Sequence, residues 1–195
     1  MLTRIIMLHY RTISVVLLIS LITVTEAFEI RSIIYDELWS WFQWLKFSFW
    51  FGVIGTTFGS IYATVEAVHL LSMAVLGGSV LTSDLRLLEI LFTDTPSETI
   101  VKGAHRCFRG ALALSILTGI FCLCAVADKV YDMPVFWVKM LALVAGSCFA
   151  FFIKQPLLCS RAHNEINPWT LRFIAMASLL VWFTVAATGR WIGFS

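Results

Sequence analysis

The stretch Cys107–Ala127, CFRGALALSILTGIFCLCAVA, decides the fold, because Arg109 is its single charge. About 20 apolar residues in helical form cross the ~30 Å hydrocarbon core of a bilayer. Three further stretches read the same way: Thr56–Leu81, Val135–Ile153 and Trp169–Thr188. Pro134 and Pro168 stand just before the last two, where a missing N–H costs a helix nothing. Asn167 is a suitable N-cap for the last.

Composition agrees. The 195-residue chain is 59% hydrophobic and only 13% charged, whereas a soluble domain is nearer half apolar and a quarter charged. The expected fold is an all-α integral membrane protein, a four-helix transmembrane bundle with an N-terminal hydrophobic segment and an interfacial amphipathic helix. Residues 1–28 read either as a signal peptide cleaved after Ala27 or as a retained transmembrane anchor. Residues 29–55 carry Tyr35, Trp39, Trp41 and Trp44 and read as an aromatic interfacial segment. Residues 56–195 form the bundle.

Lysine and arginine set the expected orientation. With the loop after the first bundle helix inside, Arg4, Arg11, Arg86, Lys102, Arg106, Arg109, Lys154, Arg161 and Arg172 lie on the cytoplasmic side. Arg31, Lys46, Lys129, Lys139 and Arg190 lie outside. The expected location is a bacterial inner membrane, with the N-terminus cytoplasmic if uncleaved and the C-terminus periplasmic. The net charge of +2 shows no basic stripe, so nucleic acid is excluded as a partner.

Small residues recur at every fourth position: Ala111, Ser115 and Gly119, then Ala142, Gly146 and Ala150, with Gly55 and Gly59 earlier. Such ridges let membrane helices approach closely. The five cysteines are irregularly spaced and give no disulfide framework. Cys122 and Cys124 point about 200° apart on a helix and cannot form one metal claw.

Ionisable residues inside spans are the candidate site. Glu66 and His69 share a helix face three residues apart, near mid-depth, where such groups usually face the bundle interior and a partner. They read as a haem or copper ligand, a proton relay, an ion or substrate site, or a structural hydrogen bond. Lys139 is either a snorkelling lysine or a counter-charge to Glu66. A haem b held by His69 would take Met176 or His105 as its second ligand. Asp84, Arg86, Arg106, Arg109 and Arg190 are expected at the membrane surface, Arg106 and Arg109 against anionic headgroups. No nucleotide loop, nucleophile elbow, zinc spacing or catalytic carboxylate pair occurs, so no catalytic residue is assigned.

Several motifs resemble a family of small bacterial multi-pass membrane proteins known mainly as a domain of unknown function. These are Glu66-Ala67-Val68-His69, Gly77-Gly78-Ser79, Asp84-Leu85-Arg86-Leu87-Leu88, Val138-Lys139-Met140 and Gly189-Arg190-Trp191-Ile192. The resemblance runs from about Trp39 to Phe194 and implies a four-helix membrane domain with an amphipathic lead-in. Lys154 departs from it, standing near where a histidine is expected. There is a fainter similarity to copper-resistance membrane proteins and b-type cytochrome bundles. The leading expectation is a non-catalytic accessory or anchor subunit of a larger inner-membrane complex, respiratory or electron-transferring in kind, whose partners are the bilayer and other membrane subunits. The rivals are a small b-type cytochrome using His69 and a transporter or proton path using Glu66, His69 and Lys139.

Overall fold

A computed structural model describes residues 30–159 and 167–194. The N-terminal hydrophobic segment, the nature of residues 1–28 and His163 lie outside them. The helices are α1 (Ile30–Phe47), α2 (Trp50–Thr57), α3 (Gly59–Leu87), α4 (Ser97–Tyr131) and α5 (Pro134–Cys148). A π-helical turn (Phe149–Lys154), α6 (Gln155–Cys159) and α7 (Pro168–Ile192) follow. The chain divides into two units, residues 1–44 and residues 45–195. In the first unit α1 exposes Trp39, Trp41 and Trp44, and Trp41 meets Trp44 edge to face at 6.1 Å.

The second unit is the bundle. Four helical stretches are long and apolar enough to cross a membrane: Gly59–Leu87, Ser97–Tyr131, Pro134–Leu158 and Pro168–Ile192. The last three outrun their apolar stretches at both ends, because helix continues into more polar turns; the first starts at Gly59, after a break at Phe58, and runs on past Leu81 to Leu87. At ~1.5 Å per residue α4 is about 50 Å long, well beyond a ~30 Å core. Its helix begins at Ser97, ten residues before the apolar stretch that starts at Cys107.

Local chemistry explains the ends. The Trp169 N–H donates to Asn167 Oδ1 at 2.9 Å, and Pro168 opens the helix. At the end of α3, Glu89 takes φ 61° while the Ile90 N–H reaches back to Leu85 O at 2.9 Å, closing a Schellman-type cap without glycine. Arg86 then donates to Thr95 O from Nε at 3.1 Å and Nη2 at 2.9 Å, pinning the loop. The ends of the bundle are called the Glu89 end and the Arg190 end below.

α3 packs along α4 and α5 along α7, and α3 also meets α7. α4 and α5 touch little. The core combines Leu76 and Val80 with Phe108, Ala111, Leu112, Ala150, Trp182 and Val185. Phe108 and Trp182 meet edge to face at 5.2 Å. Small residues set these approaches. A Cβ on Gly146 would stand 3.0 Å from Val181 Cγ1 and 3.3 Å from the Trp182 ring. Buried serines of α3 satisfy themselves on the preceding turn: Ser72 donates to His69 O and Ser79 to Leu76 O, each at 2.7 Å.

The interfacial stretch 29–55 divides. α2 lies against α4, where a Cβ on Gly55 would meet Ala125 Cβ at 2.7 Å. Lys46, just before it, is ion-paired to Asp128 of α4. Lys46 and α2 therefore belong to the bundle unit.

Candidate functional site

The strongest polar constellation lies towards the Glu89 end, between α3, α4, α7 and the π turn. Asp84 is 0% exposed. Lys154 Nζ donates to its Oδ1, and the lysine side chain is 12% exposed. Ser178 of α7, 1% exposed, adjoins the same carboxylate. Charges this deep are costly unless paired, so each holds the other in place. Asp84 stands one turn from the end of α3, and its carboxylate is turned into the bundle.

The π turn aims Lys154. A π turn holds more residues than an α turn. Residues spaced by four drift around an α-helix but stay closer to one face across a π turn. Gly146, Ala150, Lys154 and Leu158 thus all point inward, three of them buried and the lysine nearly so. A strict 3.6-residue period carries position 154 about 80° away from Gly146, so the sequence period gave no reason to pair Lys154 with Asp84. The only signal was one charge of each sign just past the ends of two different apolar stretches.

Beside the pair is a cavity of about 30 Å³ lined by Ser79, His105, Lys154, Gln155, Ser178 and Trp182, among others. A site needs roughly 10–15 Å³ by this measure to hold one water, so one or two fit. Three atoms in this region meet no partner within the chain among the described residues: Asp84 Oδ2, His105 Nε2 and Trp182 Nε1. His105 also stacks between Phe108 at 6.0 Å and Phe151 at 5.8 Å. The arrangement can hold water and hand protons between a carboxylate, an ammonium and an imidazole.

The second constellation lies nearer the Arg190 end. His69 is half-buried and its Nδ1 is 2.9 Å from Thr118 Oγ1. Gly119 makes room for the ring, since a Cβ there would meet His69 Cε1 at 3.1 Å. Glu66 is exposed on the outside of the bundle and forms no hydrogen bond or ion pair among the described residues. The expectation that Glu66 faces the interior with His69 is therefore corrected. The two positions stand about 60° apart around the helix, and the bundle takes only the histidine side. Lys139 is not a counter-charge to Glu66. Its side chain lies part-buried beside Met73, with its ammonium at the position of Gly189.

The three candidate haem ligands do not converge. His69 meets α4 at Thr118, and His105 lies on α4 thirteen residues earlier, about 20 Å along the helix. Met176 is 49% exposed and faces outward. Among the described residues no group of three or more histidine, cysteine or acidic side chains could hold a metal ion.

At the surface, Arg86 holds Thr95 O as described, while Arg106 and Arg109 are exposed. Arg190 is exposed as well and stacks over Phe194 at 4.1 Å. A family model described only as a family of unknown function, DUF6644, matches residues 41–195. The chain belongs to this family. The match covers the whole bundle and the end of the aromatic lead-in, which makes the bundle the family's common unit. No curated protein and no solved structure matches the chain, and neither copper resistance nor cytochromes enter through the family.

Proposed function

We propose that the chain is a non-catalytic subunit of a larger membrane assembly, docked to another membrane protein through the outward face of α3. Glu66 carries the reading. A carboxyl within a span is costly against lipid and is normally covered by protein. Here the chain itself leaves it uncovered. Gly59, Ala63, Ala67, Ala74 and Gly78 share that exposed side, a surface on which a second helix can approach closely. The cation distribution supports a reading in which the Glu89 end faces the cytoplasm of a bacterial inner membrane.

The test is gentle detergent extraction from the native membrane, followed by native mass spectrometry. The expected result is a complex containing a second membrane polypeptide, lost in Glu66→Lys while thermal unfolding of the bundle is unchanged. A stable lone monomer at every detergent strength would overturn the proposal.

A second reading, a proton path, is favoured by the polar cavity rather than by Glu66, His69 and Lys139. It requires proton flux into liposomes that Asp84→Asn abolishes. Tight liposomes with wild-type protein would end it.

A further inference from the structure

Where α4 and α5 draw apart, a groove opens on the bundle surface, lined by Arg106, Arg109, Gly110, Ala113, Ile116 and Phe151. Its volume is about 590 Å³, within the ~300–1,000 Å³ of small-molecule sites. The groove is graded along α4. Arg106 and Arg109 stand at one end, three residues apart and therefore on one face. Below them, Gly110 and Ala113 keep the floor low, and a Cβ on Gly110 would meet nothing within 4 Å. Ile116 continues the apolar wall towards the middle of the membrane, and Phe151 of the π turn closes the other side.

Neither guanidinium forms a hydrogen bond or ion pair among the described residues. Both sit at the boundary where the apolar run Cys107–Ala127 begins, the depth of lipid phosphates. Two forked donors above an apolar channel match one molecule type: a phosphate on top and an acyl chain beneath.

We propose that this groove binds an anionic glycerophospholipid, its phosphate between Arg106 and Arg109 and one acyl chain along Ala113, Ile116 and Phe151. The lipid fills the seam that α4 and α5 leave open. The site is separate from the outward face of α3 and does not depend on the docking reading.

The full chain is reconstituted in nanodiscs of equimolar phosphatidylcholine and phosphatidylglycerol. It is then extracted in mild detergent, and the retained lipid is identified by native mass spectrometry. With two basic residues at the surface, phosphatidylglycerol should be retained roughly thirtyfold over phosphatidylcholine. Arg106→Gln/Arg109→Gln should bring the ratio to that of the bulk lipid. Arg106→Lys/Arg109→Lys should keep part of the preference, because charge stays while the fork is lost. Ala113→Phe should fill the groove and cut retention with both arginines present. Equal retention of the two lipids by the wild-type chain would overturn the proposal. So would a preference indifferent to Ala113→Phe, which would reflect surface charge alone. Displacement of the lipid by millimolar inorganic phosphate would equally overturn it, assigning the arginines to a free anion. Unchanged thermal unfolding of each variant separates loss of the site from loss of fold.

Discussion

Lys154→Met should be among the most damaging single changes in the bundle. Methionine keeps most of the volume and removes the ammonium, so Asp84, 0% exposed, loses its partner. Removing one member of a buried ion pair costs about 3–5 kcal/mol. A second route gives the same size. The stranded carboxylate can escape only by taking a proton, and neutralising an ordinary carboxyl at pH 7 costs about 4 kcal/mol. By the same arithmetic the cost at pH 5 is about 1.5 kcal/mol. The folded variant then carries a proton that the unfolded chain has lost, so its deficit grows as pH rises from 5 to 7. Asp84→Asn/Lys154→Met, with neither charge, should recover most of the loss and lie within about 2 kcal/mol of the native chain. The assay is reversible unfolding in mixed dodecylmaltoside–SDS micelles, followed by tryptophan fluorescence at both pH values. Isolated hydrogen bonds in membrane bundles couple by only about 0.6 kcal/mol on average. A Lys154→Met cost of that size, flat with pH and added to by Asp84→Asn, would refute the idea that the pair is buried and charged.

Other outcomes follow from packing and capping. Gly146→Ala should destabilise by about 1–3 kcal/mol, because Val181 and Trp182 must shift, whereas Gly78→Ala faces open space and should be neutral or stabilise by up to about 1 kcal/mol; thermal melting in one detergent compares the pair. Asn167→Ala removes the bond to the Trp169 N–H and should cost about 1 kcal/mol in the same melts. Thr118→Val removes the contact between His69 Nδ1 and Thr118 Oγ1 and should cost about 0.5–1.5 kcal/mol, together with a shift of the His69 ring resonances. Arg86→Gln frees the loop over residues 88–96, so limited proteolysis should cut there several times faster than in the native chain.

The spans were legible because lipid imposes a length and a composition that no side-chain detail overrides. Pro134, Pro168 and Asn167 marked helix starts for equally local reasons. The small-residue ridges were legible in part: Gly55, Ala111, Gly119, Gly146 and Ala150 lie in contacts between helices, whereas Gly59 faces open space. The site was not. Glu66 and His69 look like one pair in sequence, but which side of α3 meets α4 is decided by the whole bundle, and the boundary falls between them. Asp84 and Lys154 are seventy residues apart, and their meeting depends on a π turn that no local residue preference announces. The groove below Arg106 and Arg109 arises from two consecutive helices that do not pack together, a property of topology rather than of either helix.

The outward face of α3 is the part of the account on which function rests. A photo-crosslinking residue placed at Ala67, next to Glu66, reports directly on what covers that face in the native membrane. The account predicts a discrete covalent adduct with a second membrane polypeptide at position 67, absent from the same probe at Leu112 inside the core. Adducts with lipid alone at position 67, and likewise at Ala63 and Ala74, would contradict it.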